Sequence, residues 1–234
     1  MLLDFVWPSI NVAPILGGTM KDLPFSKRLA LHALWLKTNG AEGVRMDLSG
    51  TSIRGVHTHN AVLTGAKLND ADLRHDEMNG TDFIGSDLRG ADLRGAELEG
   101  ADFSAANVNG IRFRGAKLDK ANLERAKLAY ADLRDASLCE TNLIEADLMG
   151  AKLCGVNLSK AKLRGASLGG ADLSRAILTG TDFSYADLQG TRFEGAQFDQ
   201  DTNFSNATVN PEDFSDLDLS MLDRENLPAA LWAN

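Results

Sequence analysis

The sequence predicts a mainly β, solenoid-like fold with a short helical segment at each end. From Leu48 to Phe198, positions spaced five residues apart are apolar at all but one of 31 sites, and 21 of them are leucine. The residue two positions before each is usually small: it is alanine at 20 of the 31 sites and threonine or serine at six more. The chain is 44% hydrophobic and 24% charged, which is ordinary for a globular protein and excludes wholesale disorder.

A period of five residues fits neither standard element. On a straight helix, five residues advance by roughly 500°, or about 140° net, so the leucines would scatter around the axis. On a straight strand five is an odd number, so successive leucines would point to opposite faces. The chain must therefore bend after every pentapeptide, which lets the apolar residue and the small residue both point inward. Such a chain forms stacked coils about 4.8 Å apart, joined by backbone hydrogen bonds.

The inward apolar residues form the predicted core. Its principal members share the fifth-residue spacing and are Leu48, Leu68, Leu73, Phe83, Leu88, Leu93, Phe103, Phe113, Leu123, Leu133, Leu143, Leu153, Leu163, Phe183 and Phe193. Thr58 is the one polar residue at such a position, which predicts a distortion or small bulge in the first coil.

Residues 91–95, Ala-Asp-Leu-Arg-Gly, are a clean copy of the repeat. In this unit the sequence resembles the pentapeptide-repeat family, whose signature is Ala-Asp/Asn-Leu-x-x in tandem. The resemblance covers residues 46–200. It implies a right-handed quadrilateral β-helix with four pentapeptides per coil, and hence nearly eight coils.

Residues 1–45 are predicted to form an N-terminal arm and a capping helix. Residues 1–20 are apolar, but Asp4 stands where an export signal needs basic residues, and Pro8 and Pro14 interrupt the stretch. We therefore expect a part of the mature fold and a cytoplasmic protein. Residues 22–39 predict the helix, with Asp22 as its cap and Asn39-Gly40 as its end. Covering the first coil is its predicted role, and binding a partner is the alternative.

Residues 201–234 are predicted to form a short helical C-terminal cap. The repeat slips by one residue where Phe198 is followed by Phe204, and residues 210–213 (Asn-Pro-Glu-Asp) indicate a helix start. An open coil end exposes apolar core and unpaired backbone, so we expect this segment to cover the last coil, to form a homodimer, or to do both. The candidate residues are Phe204, Phe214, Leu219, Leu222, Leu227, Leu231 and Trp232.

With four pentapeptides per coil, outward residues 20 positions apart align in columns. One column is the arginine strip, which consists of Arg54, Arg74, Arg94, Arg114 and Arg134. An aspartate stands two residues before three of these arginines, at Asp72, Asp92 and Asp132. Residues two apart on an extended chain point the same way. The strip is therefore either a solvated ladder of compensating charges or a docking surface for an acidic partner.

Catalytic and metal-binding signals are weak. Gly165, Ser167 and Gly169 match a GxSxG motif, but here that motif is the repeat itself, so we predict no enzyme and no cofactor. His57, His59 and Glu77 could approach one another in adjacent coils, but exposed side chains are the favoured interpretation over a metal site. Cys139 and Cys154 fall on different faces, so we expect no disulfide.

These observations predict a non-enzymatic scaffold that binds another protein, whose identity the sequence does not reveal. The alternative, drawn from the resemblance, is a DNA mimic that binds gyrase or topoisomerase and protects it from quinolones or other topoisomerase poisons. The net charge of −9 argues against direct nucleic-acid binding, and it is mild for a DNA mimic. No uncharged apolar stretch reaches the roughly 20 residues that span a bilayer.

Overall fold

The computed structural model describes residues 23–56, 58–215, 217–220 and 222–232. The chain divides into two compact units, Met1–Met46 and Asp47–Asn234. The first boundary falls one residue from the predicted one, and residues 201–234 group with the coils rather than apart from them.

The first unit contains one helix, α1 (Phe25–Lys37), in its described part. The helix follows Pro24 directly, and the left-handed backbone of Asn39 and Gly40 comes shortly after its end, close to the predicted bounds. The chain then folds back along the helix, and the backbone N–H of Met46 donates to Nδ1 of His32 at 3.1 Å. This bond requires the proton of a neutral His32 ring to be on Nε2. The predicted cap residue Asp22 lies outside the described residues, and covering of the first coil by α1 stays a prediction.

The second unit is a ladder of parallel β-bridges from Asp47 to Thr208, each a single residue wide. The bridged residue immediately precedes an inward apolar residue, and its partner lies 20 residues later, as in Asp72 and Asp92. The backbone N–H of Leu73 donates to the carbonyl of Asp92 at 2.8 Å, and the N–H of Asp92 donates to the carbonyl of Ala71 at 2.9 Å. Four pentapeptides therefore make one coil.

A tight turn ends each side of a coil. The turn after Leu63 is closed by a hydrogen bond of 2.9 Å from the N–H of Ala66 to the Leu63 carbonyl. From Leu48 to Phe193, the second residue after each inward residue has a positive φ, as in Gly95 (67°) and Tyr130 (59°). Left-handed backbone costs residues other than glycine about 1 kcal/mol, which explains the abundance of glycine at this position.

Apolar side chains fill the interior of the coils. All the principal core residues named above, from Leu48 to Phe193, are at most 2% exposed. The rings of Phe83 and Phe103 stack between coils with centroids 4.7 Å apart. Where threonine replaces the small inward alanine, its hydroxyl can bond to the preceding coil, and Thr141 Oγ1 donates to the Leu118 carbonyl at 3.0 Å. The interior is thus both close-packed and hydrogen-bonded.

Thr58 occupies an inward position despite its polar side chain. The residue is buried, and its N–H donates to the Glu77 carbonyl at 3.2 Å, as the repeat requires. Its hydroxyl is buried and has no hydrogen-bond partner among the described residues. The predicted distortion would include His57, which lies outside the described residues.

The register of the ladder changes by one residue after Phe198. Asp182 pairs with Asn203, and Asp187 with Thr208, each 21 residues later instead of 20. The inserted residue is accommodated by Asp199, whose Oδ1 accepts the N–H of Gly180 at 2.8 Å, and by Thr202, whose hydroxyl donates to the Leu178 carbonyl at 3.0 Å. The predicted slip is confirmed.

In the described residues after the ladder there are three short 3₁₀ helices, at Pro211–Phe214, Arg224–Asn226 and Ala229–Trp232. Phe214 packs against Phe193 with ring centroids 5.2 Å apart. The carbonyl of Asn226 accepts the N–H of Phe204 at 2.7 Å, in the place that a further coil would fill. This segment therefore contacts both the side chains and the backbone of the last coil.

The apolar residues of this segment differ in burial. Phe204, Phe214, Leu222 and Leu227 are at most 8% exposed within the single chain, whereas Leu219 and Leu231 are half-buried. The side chain of Trp232 lies outside the described residues. Burial within one chain accounts for four of the seven candidates, and dimerisation through this segment stays a prediction.

Candidate interaction surface

The arginine strip lies on one side of the coils, and each arginine directly follows an inward residue. The corresponding inward residues are Ile53, Leu73, Leu93, Phe113 and Leu133, so successive arginines belong to successive coils. Ladder pairing of residues 20 apart places them in one column, as the sequence predicts. The exposed fraction of the arginine side chains runs from 34% for Arg74 to 55% for Arg114.

Three arginines of the strip form two-point pairs with the aspartate two residues earlier. In the pair with Asp92, Arg94 donates from Nε to Oδ1 at 2.8 Å and from Nη2 to Oδ2 at 2.7 Å. Arg74 pairs in the same way with Asp72, at 2.9 Å for both bonds, and Arg134 with Asp132, at 2.7 and 2.6 Å. The planar guanidinium matches the carboxylate, so these pairs fix the direction of the arginine side chains.

Contacts between coils complete the strip. Arg54 Nη2 lies 3.0 Å from Oδ2 of Asp72, and Arg114 Nε lies 3.3 Å from Oδ2 of Asp135. Every arginine of the strip therefore has a carboxylate within 4 Å, as a ladder of compensating charges requires. Each two-point pair nevertheless uses only two of the five guanidinium N–H donors, which leaves donors for a partner.

Asp92 is the centre of this network, a role that sequence reasoning missed. Its side chain is only 11% exposed, and Oδ2 lies 3.6 Å from Arg74 Nε and 3.7 Å from Arg112 Nη1 in addition to the bond from Arg94. The 20-residue spacing of the coils could have predicted these contacts, because it places Arg74 and Arg112 in the coils on either side of Asp92.

The network shifts the pKa of its carboxyl groups. Burial acts to raise the pKa of Asp92, but the hydrogen bonds from Arg94 and the charges of Arg94 and Arg112 outweigh burial and hold that pKa below its ordinary value. The hydrogen bond from Arg134 lowers the pKa of Asp132 against an opposing effect of burial. Both aspartates are therefore ionised at neutral pH.

The same column continues beyond the strip with Cys154. Its Sγ accepts a hydrogen bond from Arg175 Nη2 at 3.0 Å. Cys154 and Cys139 are both half-buried free thiols.

The remaining catalytic and metal candidates lie within the repeat. Ser167 bridges to Asp147 on one side and to Asp187 on the other, so it lies within the ladder and not on a strand-to-helix turn. His59 Nε2 and Glu77 Oε2 are 3.0 Å apart, while His57 lies outside the described residues. Among the residues that the structure describes, no group of three His, Cys, Asp or Glu side chains could hold a metal ion. In the same part of the chain, no helix has the length and apolar character to cross a bilayer.

The family model for pentapeptide repeats matches the chain with eight copies. The matched residues are 45–75 and, in overlapping segments, 77–195, which together cover more than half of the chain. The chain belongs to the pentapeptide-repeat family, whose members form right-handed β-helices. No curated protein matches it.

Among solved structures, the chain is similar to the pentapeptide-repeat protein Rfr23 from the cyanobacterium Cyanothece 51142, with 36% identity and a TM-score of 0.38. That match covers 42% of this chain and 64% of Rfr23, so it spans less than two thirds of that protein. HetL from Nostoc sp. strain PCC 7120, involved in heterocyst differentiation regulation, is 29% identical over 75% of this chain and 89% of HetL, with a TM-score of 0.35. A trypsin-treated form of QnrB1, a plasmid-mediated fluoroquinolone resistance protein, is 22% identical over 80% of this chain and 92% of its own, with a TM-score of 0.45.

Proposed function

We propose that this chain is a non-enzymatic scaffold that binds another protein through the flat sides of its coils. The observation that carries the proposal is the arginine strip, in which two-point pairs hold Arg74, Arg94 and Arg134 in fixed directions on a regular coil spacing. Side chains fixed before binding lose less conformational freedom when a partner docks.

The partner that fits this surface carries carboxylate or carbonyl acceptors at the coil spacing of about 4.8 Å. Each paired guanidinium keeps N–H donors that its aspartate does not use. The surrounding aspartates reduce the net charge of the strip, so we expect directional hydrogen bonds to contribute more than long-range attraction. An acidic protein segment satisfies both conditions.

Capture from a lysate of the native host tests this proposal. The immobilised chain is compared with the triple variant Arg74→Gln, Arg94→Gln, Arg134→Gln and with a matched control, Lys67→Gln, Lys127→Gln, Lys162→Gln. The three control lysines are exposed and lie on other sides of the coils. A partner identified by mass spectrometry should bind the wild type and the control, and should be lost from the arginine variant. Equal capture by all three proteins would contradict the role of the strip.

The alternative function, protection of DNA gyrase by mimicry of duplex DNA, requires a different charge distribution on the surface. A mimic needs concentrated negative charge, whereas the strip places a guanidinium on each of five coils. A supercoiling assay with a quinolone present separates the two functions. Rescue of supercoiling by micromolar protein would favour the alternative, and absence of rescue would favour the scaffold.

A further inference from the structure

The last coil leaves part of its backbone unpaired on the side that carries the arginine strip. In the preceding coil, the carbonyl of Ala171 accepts from Arg192 N–H at 2.9 Å, and the N–H groups of Leu173 and Arg175 donate to the next coil at 2.8 Å each. The equivalent groups one coil later are the Thr191 carbonyl and the N–H groups of Phe193 and Gly195, here called the open edge. Within the described part of the chain, none of these three groups has a hydrogen-bond partner.

The open edge exists because the chain turns away where the next coil would begin. Pro211 starts a 3₁₀ helix, so the N–H of Asp213 bonds locally to the Asn210 carbonyl instead of to the coil. The Asp213 carboxylate accepts the N–H of Gly190 at 2.7 Å, which satisfies the corner just before the open edge. Phe214 covers the ring of Phe193. The core is thereby shielded while the strand edge beside it stays unpaired.

A groove of about 250 Å³ runs along the open edge. Residues 191–195 line it together with Asp213 and Leu217. The groove is smaller than the roughly 300–1,000 Å³ of typical small-molecule sites. A space of this size beside unpaired backbone donors and an acceptor suits one or two side chains of an extended peptide.

We propose that the open edge binds an extended segment of a partner protein, which adds as one more parallel strand. Three backbone hydrogen bonds would hold it: its N–H to the Thr191 carbonyl, and two of its carbonyls to the N–H groups of Phe193 and Gly195. This deepens the proposed scaffold function by naming a second contact surface and the kind of segment that it takes.

The charges beside the open edge select the sequence of that segment. Arg192 and Glu194 flank Phe193, and their side chains are 65% and 85% exposed. Within the ladder Arg192 stacks on Asp172 of the preceding coil, at 3.9 Å. By the same rule, the residue of the added strand that stacks on Arg192 should be acidic, and the residue that stacks on Glu194 should be basic. The residue between them points toward Phe193 and the groove, where an apolar side chain fits. The segment therefore has the pattern acidic–apolar–basic.

A short peptide tests the proposal directly. The repeat at residues 91–95 has the required pattern, so the probe is acetyl-Ala-Asp-Leu-Arg-Gly-amide. It is added to the ¹⁵N-labelled full chain, and the amide signals of Phe193 and Gly195 are followed by NMR. One control peptide carries an N-methyl group on the aspartate nitrogen, which removes the donor to Thr191, and another exchanges the aspartate and the arginine.

We expect the probe to shift both amide signals and to protect them from hydrogen exchange. The N-methylated peptide should bind roughly tenfold more weakly, as loss of one hydrogen bond implies. The variant Arg192→Glu, Glu194→Arg should prefer the charge-exchanged peptide, which a merely structural role for these residues would not produce.

The proposal is overturned if neither amide responds to the probe up to about 10 mM, a weak limit for so short a ligand. It is also overturned if the N-methylated peptide binds equally well, or if both amides are already protected in a concentration-dependent way, which would assign the edge to a second copy of the chain. The readout is independent of the arginine strip, so loss of capture by the strip variant and failure of the peptide experiment are distinguishable.

Discussion

Arg94 and Asp92 belong to the same pentapeptide, and two hydrogen bonds of 2.8 and 2.7 Å join the guanidinium of Arg94 to the carboxylate of Asp92. The side chains of residues two apart lie on the same face of the extended segment, so the pair forms without distortion of the ladder. Asp92 also lies within 4 Å of Arg74 and Arg112, which makes it the most highly connected carboxylate of the strip.

Replacing Asp92 with Asn should lower the free energy of unfolding by about 1 kcal/mol at neutral pH. The folded-state pKa of Asp92 lies below its ordinary value of 3.8, so its stabilisation is present above that value and is lost as the pH falls toward the folded-state pKa. Urea unfolding at several pH values should show a wild-type advantage at pH 7 that shrinks below about pH 4. A difference independent of pH would contradict the role assigned to the carboxylate charge.

Leu123→Asp should disrupt several coils, because Leu123 is fully buried and the introduced carboxylate would have no partner. Circular dichroism should show loss of the cooperative transition or a large fall in its midpoint. Arg125→Asp, two residues away on the exposed surface, is the control; it removes an exposed ion pair with Glu145, so it should lower the midpoint only slightly.

Ala121→Leu should lower the free energy of unfolding by about 1–3 kcal/mol through overpacking. Ala121 is 1% exposed and lies two residues before Leu123, and the equivalent positions of the neighbouring coils hold the small residues Ala101 and Thr141. Thermal unfolding measures the effect. A stability equal to that of the wild type would mean that the small inward position tolerates large side chains.

Thr141→Val should cost about 1 kcal/mol, although it preserves the shape of the side chain. The lost hydroxyl is buried and donates to the Leu118 carbonyl of the preceding coil. Thr141→Ser, which keeps the hydroxyl, is the control for this bond. Urea unfolding of the two variants should separate the hydrogen bond from the packing of the methyl group, and a valine variant as stable as the wild type would show that the bond contributes nothing.

Truncation after Gln200 should expose the last coil and give either aggregation or a less stable monomer. The removed segment supplies Phe204 and Phe214 to the aromatic cluster around Phe193, and the Asn226 carbonyl to the backbone of the coil end. Sedimentation velocity and thermal melting measure both outcomes. Behaviour unchanged in both measurements would mean that the segment neither caps the coils nor forms an interface.

Much of the second unit could be predicted from the sequence because its interior repeats locally. The fifth-residue spacing selects the inward side chains from Leu48 to Phe193, and an aspartate two residues before an arginine predicts compensating charges on one face. Both relationships connect residues within one or two pentapeptides. The one-residue slip after Phe198 is visible for the same reason, since it interrupts the spacing itself.

Other features depend on which residues of different coils come into contact, and the five-residue spacing alone does not specify those contacts. The period of five residues shows that the chain bends, but it does not show how many pentapeptides make one coil. The pairing of Asp72 with Asp92, 20 residues later, shows that there are four. The contacts of Asp92 with Arg74 and Arg112, and the acceptance of the Gly190 N–H by Asp213, join residues about one coil apart. The sequence by itself thus determined the inward face and the local ion pairs. Only the tertiary structure decided the contacts between coils and the open edge at residues 191–195, because these depend on where the chain returns after 20 or more residues.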